Sequence, residues 1–221
     1  RRARPAWVVA ALGLAGAAWR LLGAGLPRQA VLLLTVLGWG AATLAVVAAA
    51  RGENPLPTRP LALALLGWWV LVPLWLSLLW LKTASPVLLL ALFALIWLAD
   101  SAAYFVGRRF GRRRLAPRVS PGKTWAGVMG ALLAAPVVAL SAGLPLGYRG
   151  AVLAGFGMLC AVTVVASVVG DLFESLLKRR AGVKDSGALL PGHGGVLDRI
   201  DSLTAAAPIF CWGLSLLSAS P

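Results

Sequence analysis

Runs of about 18 or more apolar residues recur along the chain, and each is long enough to cross a hydrocarbon core of about 30 Å. Only 13% of the residues are charged, against about a quarter in soluble proteins. The alternating segments of about ten residues that mark an outer-membrane barrel are absent. The sequence therefore predicts an all-α polytopic membrane protein with about seven transmembrane helices.

The predicted spans follow the apolar runs between polar or turn-rich connectors. The run after Arg1, Arg2 and Arg4 could pass for a signal peptide, but it continues through Arg20 without a clear small-residue cleavage site, so we expect a retained span. The spans are Pro5–Leu22, Ala30–Ala50, Pro60–Leu81, Pro86–Val106, Trp125–Leu146, Gly150–Gly170 and Leu203–Ala219.

The charge distribution orients these spans. All but four of the 21 basic residues fall on one side of the predicted topology; the exceptions are Arg20, Arg28, Lys82 and Arg149. By the positive-inside rule that side is cytoplasmic, and the acidic residues lie near it. Topology and lipid phosphates explain the net charge of +14 better than nucleic acid does. Cys160 and Cys211, both in apolar stretches, are expected to be packing residues.

The first polar cluster is DSAAYFVGRRFGRRR, residues 100–114. An aspartate inside a span costs about 2.5–3.5 kcal/mol on insertion scales, so Asp100 is expected to face a cavity or a partner. Alternatively, it pairs with a loop arginine and only fixes structure. The arginines of this segment are interpreted as topology determinants and lipid-phosphate contacts.

The second cluster is SPGKTWAG, residues 120–127, directly before a predicted span. Its hydroxyls, backbone N–H groups and one ammonium in a tight turn suit a phosphate. A Walker A motif would need glycine at position 117, which is a proline, so a P-loop ATPase is excluded. The alternative is an ordinary capped helix start with a positive-inside lysine.

The third cluster covers residues 170–202. If 171–180 is helical, one polar face carries four side chains: Asp171, Glu174, Ser175 and Lys178. Asp198 and Asp201 would likewise share a face at the mouth of the last span. Asp171 and these two acids would repel one another without a cation, and oxygen-only ligands favour Mg²⁺. The alternative is that each aspartate pairs with a neighbouring lysine or arginine.

His193 lies among Gly192, Gly194 and Gly195, which let the backbone approach a ligand closely. Its imidazole either donates to a phosphate, the reading we favour, or orders the loop. Carboxylates for Mg²⁺, basic and hydroxyl donors and a glycine-rich loop are suited to phosphoryl or nucleotidyl transfer. At a span mouth, one reactant would be a lipid and the other a soluble, charged compound. A lipid phosphomonoester is already ionised near neutral pH, so its attack needs no general base.

The segment SLLKRRAGVKDSGALLPGHGGVLDRID, residues 175–201, resembles the signature of the phosphatidate cytidylyltransferase (CDP-diacylglycerol synthase) family. The two upstream clusters resemble that family's other blocks. The resemblance covers roughly residues 100–202, and the first 95 residues show only generic hydrophobicity. It implies the Mg²⁺-dependent reaction of CTP with phosphatidate, at the cytoplasmic face of the inner membrane, by a homodimer in contact with membrane lipids.

The resemblance also implies roles for individual residues. Asp171, Asp198 and Asp201 would be the metal-binding carboxylates, with K⁺ beside Mg²⁺. Nucleotide phosphates would be held by Ser120, Lys123 and Thr124, and substrate phosphates by Lys178, Arg179 and Arg199. The remaining expected substrate-binding residues are Asp100, Ser175, Lys184, Asp185, Gly194 and Gly195, and His193 is expected to be catalytic. Residues 1–99 would form an N-terminal set of transmembrane helices and residues 100–221 the catalytic domain.

Three alternatives stay open from the sequence. A CTP-dependent kinase of a polyprenol or dolichol, or a cytidylyltransferase acting on an ether lipid, could use the same loops. A cation-coupled transporter would instead place acids in mid-span, often in broken helices. A structural membrane scaffold would leave the glycine-histidine-acid loop unexplained.

Overall fold

A computed structural model describes residues 28–187 and 195–217 of the chain, and within them it is predominantly helical. The helices are α1 (Arg28–Arg51), α2 (Pro60–Ala84), α3 (Pro86–Phe110), α4 (Trp125–Leu132), α5 (Ala134–Gly143), α6 (Gly150–Arg180) and α7 (Asp201–Leu217). A β-hairpin joins α3 to α4, with strands β1 (Arg114–Ala116) and β2 (Ser120–Thr124), and a 3₁₀ turn (Leu197–Arg199) precedes α7.

Five helical segments are long and apolar enough to cross a membrane: α1, α2, α3, the α4–α5 pair and α6. They correspond to the second through sixth predicted spans. The first predicted span, Pro5–Leu22, lies outside the described residues. The last corresponds to α7, an apolar helix of 17 residues, which rises about 25 Å.

The predicted span Trp125–Leu146 is not one continuous helix. It divides at Leu133, whose N–H bonds to the carbonyl of Gly130 in a tight turn. Pro136 explains the division, because its ring clashes with the carbonyl four residues earlier and it has no N–H to donate. Residues 125–143 still form one apolar segment long enough to cross a membrane.

The hairpin is the one departure from an all-α fold among the described residues. We predicted a tight turn at 120–124, but these residues form β2, which pairs antiparallel with β1. Thr124 ends the strand and caps α4, since its hydroxyl accepts a hydrogen bond from the N–H of Gly127 at 3.1 Å. Arg118, in the hairpin loop, donates to the carbonyl of Arg51 at the end of α1.

Helix α6 continues beyond the predicted span end at Gly170, so the conditional prediction of a helical 171–180 is confirmed. Gly182, with φ of +68°, ends it. The N–H of Gly182 bonds to the carbonyl of Arg179, and that of Val183 to Lys178, which is the Schellman pattern. This turn directs residues 183–187 back toward the last part of the chain.

Close helix packing brings the polar segments together. Helix α6 packs along α7 around fully buried Phe156 and Phe210, with Cys160 and Cys211 free and buried, as predicted. Helix α3 packs on α4 through glycine: a Cβ at Gly130 would lie 2.6 Å from Cβ of Val106. Helices α1 and α2 also contact α7.

Candidate active site

A cavity of about 550 Å³ lies between α3, the hairpin, α4 and α6. Each of the three predicted polar clusters contributes to it or to the residues beside it. The polar and charged side chains that line it are Asp100, Tyr104, Arg108, Arg114, Lys123, Thr124, Ser167 and Asp171. It therefore joins residues far apart in sequence at the end of the bundle where α3 and α6 finish.

An ion pair between the hairpin and α6 forms part of the cavity lining. The Nζ atom of Lys123 is 2.6 Å from Oδ2 of Asp171, and both side chains are about one quarter exposed. The hydroxyl of Ser175, one turn further along α6, donates to Oδ1 of Asp171 at 3.3 Å. The second and third clusters are thus linked directly, as a shared site requires.

Asp100 lies on the α3 wall of the same cavity. Its carboxyl group interacts electrostatically with Lys123 of the hairpin, Asp171 of α6 and Asp201 of α7. The expectation that Asp100 faces a cavity is confirmed. The alternative pairing with a loop arginine is not seen among the described ion pairs.

Asp198, on the 3₁₀ turn, holds the loop around it together. It accepts hydrogen bonds from Nζ of Lys178 at 2.8 Å, from the N–H and hydroxyl of Ser186, and from the N–H of Gly195 at 2.7 Å. Burial alone would raise the pKa of Asp198, but these donors outweigh burial and hold the pKa well below its usual range. The group is therefore a carboxylate at neutral pH.

Asp198 and Asp201 do not share a helical face, which corrects that prediction. Ile200 separates the 3₁₀ turn from α7 with φ of −123° and ψ of 4°, so the helical spacing of three residues does not apply. Asp201 starts α7 and accepts from the N–H of Ser202 at 2.7 Å. Its carboxylate instead interacts with Asp171 and Glu174 on α6.

Glu174 is a site residue that sequence reasoning did not single out. It is 5% exposed, and neither carboxyl oxygen has a partner in hydrogen-bonding geometry, although Asp201 lies close enough to interact electrostatically. Its nearest cation is Lys178, whose Nζ is 3.6 Å from Oε2. Lys178 thus lies between Glu174 and Asp198 and is the cation that contacts both.

The other predicted residues that the structure describes belong to the hairpin, the end of α6, the turn after it and the 3₁₀ turn. Thr124 is buried, and its hydroxyl oxygen caps α4. Ser120 begins β2, half-buried. Arg199 is exposed on the 3₁₀ turn, and three further residues are exposed at or after the end of α6: Arg179, Lys184 and Asp185. His193 and Gly194 lie outside the described residues.

The arrangement of carboxylates bears on the predicted metal. Within residues 28–187 and 195–217, no three His, Cys, Asp or Glu side chains are close enough to hold a metal ion. Asp171 and Asp201 are close enough to interact electrostatically. Their carboxyl groups offer only oxygen atoms, the donor type that Mg²⁺ prefers. Four donors bind the oxygens of Asp198, and Lys123 and Ser175 bind those of Asp171, so a cation at Asp171 and Asp201 would displace fewer contacts than one at Asp198.

Some of the cavity wall could not be read from the sequence. Tyr104, Ser167 and Gly122 line it, although the sequence assigned none of them an individual role. Helical spacing offered one signal for Tyr104, since it follows Asp100 by one turn of the same helix. Ser186 lies within the signature segment, but only its neighbours Lys184 and Asp185 were predicted to bind substrate.

Comparison with known proteins extends the sequence resemblance. Residues 2–217 match the cytidylyltransferase family, well beyond the 100–202 segment that carries the motifs. The phosphatidate cytidylyltransferase of Haemophilus influenzae is 46% identical, over 83% of this chain and 68% of its own length. That of Pseudomonas aeruginosa is 48% identical, over 82% and 67%, and that of Bacillus subtilis 45%, over 56% and 45%. The chain belongs to the cytidylyltransferase family.

Proposed function

We propose that this chain transfers CMP from CTP to phosphatidate, giving CDP-diacylglycerol and pyrophosphate for phospholipid synthesis. The observation that carries the proposal is the cavity in which Lys123 of the hairpin meets Asp171 of α6, beside the Lys178–Asp198 pair. Such a set of cations and carboxylates suits a reaction between two phosphate compounds. The relatives named phosphatidate cytidylyltransferase support the choice of substrates.

In this reaction an ionised phosphate oxygen of phosphatidate attacks the α-phosphorus of CTP. The new P–O bond forms as the bond from the α-phosphorus to the bridging oxygen breaks, and the bond pair leaves with pyrophosphate. Lys123 and Lys178 would offset the negative charge of the two phosphate groups. Ser120 and Thr124 would contact the phosphates of the nucleotide. Arg179 and Arg199 would contact substrate phosphates. His193 would donate to a phosphate, and no side chain needs to remove a proton.

Mg²⁺ is part of the proposal, with Asp171 and Asp201 as the carboxylates best placed to hold it and K⁺ beside it. Asp198 as a third metal carboxylate stays a prediction. A bound divalent cation would neutralise charge on the phosphate oxygens. Ser175, Lys184, Asp185, Gly194 and Gly195 would complete the substrate contacts, and Asp100 would complete the α3 wall.

The proposed location is the inner membrane, with the cavity facing the cytoplasm. Its support is the charge asymmetry: the cavity lies at the end of the bundle that carries Arg51, Arg59, the arginines of 108–118 and the basic residues of 178–199. We further propose seven spans, a homodimer packed through them, and division of the chain into N-terminal helices (1–99) and a catalytic domain (100–221).

The transporter alternative has less support from the fold. It expects acids in broken helices at mid-membrane, whereas α3 and α6 run unbroken past Asp100 and Asp171. A CTP-dependent lipid kinase would use a similar set of charges, so the assay must separate it by product.

The first prediction is tested with purified protein in detergent. Wild type given CTP, phosphatidate and Mg²⁺ is expected to release pyrophosphate and form CDP-diacylglycerol in equal amounts. Asp198→Asn should lower this rate about 100-fold, because the charge that Lys178, Ser186 and Gly195 bind is lost. Glu53→Gln, an exposed acid in the connector after α1, is the matched control and should keep the wild-type rate.

The products separate the outcomes. No CDP-diacylglycerol from wild type, or undiminished product from Asp198→Asn, would overturn the proposal. With a polyprenol supplied in place of phosphatidate, formation of CDP together with the phosphorylated polyprenol would identify the kinase instead.

The second prediction concerns the metal. Treatment with EDTA is expected to abolish product formation, and added Mg²⁺ to restore it. Asp171→Asn should raise the Mg²⁺ concentration needed for half-maximal rate at least about tenfold, because one anionic ligand is lost. The measurement is initial rate against free Mg²⁺. Full activity without any divalent cation would contradict the metal proposal while leaving the reaction itself intact.

A further inference from the structure

Two arginines of the 108–114 segment differ from their neighbours in position. Arg108, in the last turn of α3, and Arg114, the first residue of β1, both line the cavity. Arg109 instead lies over the ring of Phe110, 5.5 Å from its centroid. The segment that looked uniformly like a topology signal therefore contributes specific side chains to the cavity wall.

Tight backbone packing sets this geometry. A Cβ at Gly107 would lie 3.0 Å from the hydroxyl of Thr124, so the end of α3 packs directly on the hairpin. The N–H of Gly111 closes α3 on the carbonyl of Gly107 at 2.9 Å. The chain then turns into β1, which brings Arg108 and Arg114 to the same cavity from two elements.

Among the described residues, no carboxylate forms an ion pair with the guanidinium group of Arg108 or Arg114. Lys123 is already paired with Asp171 at 2.6 Å. Nη1 of Arg108 donates to the hydroxyl of Tyr104 at 2.9 Å, a contact that orients the group without neutralising it.

Guanidinium groups form two-pronged hydrogen bonds with phosphate oxygens. Two such groups on one wall, carried by different elements, supply two positive charges and two hydrogen-bonding forks, enough to contact two linked phosphates at once. The cavity also contains Lys123, the residue proposed for nucleotide phosphates. The ligand chemistry is therefore phosphate, and its source is either the nucleotide or the lipid headgroup.

We propose that Arg108 and Arg114 bind the polyphosphate of the nucleoside triphosphate, and with it the departing pyrophosphate. The proposal rests on the proposed function and extends it, because it adds two residues to the nucleotide site and assigns them to the leaving group. These residues contact substrate, while Tyr104 positions Arg108.

The test compares Arg108→Gln and Arg114→Gln with Arg112→Gln, a neighbouring exposed arginine outside the cavity lining. Each of the first two should raise the KM for CTP about tenfold or more and weaken competitive inhibition by pyrophosphate equally, since one charge-assisted contact is lost. The KM for phosphatidate and inhibition by CMP should stay unchanged. Arg112→Gln should resemble wild type in all four measurements.

Each other outcome has a definite meaning. A raised KM for phosphatidate with that for CTP unchanged would assign the arginines to the lipid headgroup and overturn the proposal. Values within twofold of wild type, or equal effects in Arg112→Gln, would also overturn it. Calorimetric measurement of pyrophosphate binding, which needs no turnover, separates the proposed reaction from the proposed phosphate site. Binding that depends on the arginines, in a protein that makes no CDP-diacylglycerol, would refute the reaction and support the phosphate site.

Discussion

Replacing Lys178 with methionine is expected to lower the rate of CDP-diacylglycerol formation about 100-fold or more and to destabilise the protein by about 2 kcal/mol. Lys178 is the cation between Glu174 and Asp198, at 3.6 Å and 2.8 Å. Methionine keeps much of the side-chain volume but removes the charge. Two largely buried carboxyl groups would then lack their cationic partner, and Asp198 would lose its link to α6.

The matched control for this substitution is Arg180→Met, two residues further along α6. Arg180 is exposed and lies outside every proposed site set, so its replacement should change rate and melting temperature little. The double variant Lys178→Met/Glu174→Gln should regain part of the lost stability, because a buried carboxyl group left without its cationic partner is replaced by an uncharged amide, while its rate stays low. The measurements are product formation and thermal unfolding in detergent. Near-wild-type activity of Lys178→Met would contradict the role given to this lysine.

The sequence predicted the helical content and the second to sixth spans, because apolar runs bounded by Gly, Pro and charged residues determine membrane helices strongly. It could not predict the division at Leu133 or the pairing of β1 with β2. Both depend on local backbone geometry. A proline such as Pro136 occurs in the first turn of a helix as well as at a helix break, and the composition of SPGKT is typical of a turn.

The site was predictable where its residues lie close in sequence. The face formed by Asp171, Ser175 and Lys178 followed from helical spacing. The ion pair between Lys123 and Asp171 did not, because it depends on how the hairpin docks against α6.

Assignments that needed three-dimensional contacts were the weakest. Asp198 belonged to an expected metal set, but its surroundings are N–H and ammonium donors contributed in part by Ser186. The helical spacing expected between Asp198 and Asp201 failed, because Ile200, with φ of −123° and ψ of 4°, interrupts the helical backbone between them. Glu174 was visible as part of a polar face, and only its burial against α7 distinguishes it.

Replacing Gly170 with alanine is expected to slow product formation at least about tenfold with a loss of stability of about 1–3 kcal/mol. A Cβ at this position would lie 2.8 Å from the backbone carbonyl oxygen of Asp201 and 3.0 Å from the hydroxyl of Thr204. Backbone cannot rotate away as a flexible side chain can. The start of α7 must therefore shift, and Asp201 would move away from Asp171.

Gly157→Ala supplies the matched control on the same helix. Its Cβ would lie 3.6 Å from Cβ of Ala139, an ordinary contact. Both substitutions gain about 1 kcal/mol from the higher helix propensity of alanine, so the difference between them isolates the contact with the start of α7. Gly157→Ala should be as active as wild type and equally or more stable.

The dependence on Mg²⁺ distinguishes a displaced site from general weakening of the fold. Because Asp201 is a proposed metal carboxylate, Gly170→Ala should need a higher Mg²⁺ concentration for half-maximal rate. A variant that is only less stable would need the same Mg²⁺ concentration as wild type at any temperature where it is folded. Equal rates, melting temperatures and Mg²⁺ requirements for Gly170→Ala and Gly157→Ala would refute the coupling of the α6–α7 contact to the active site.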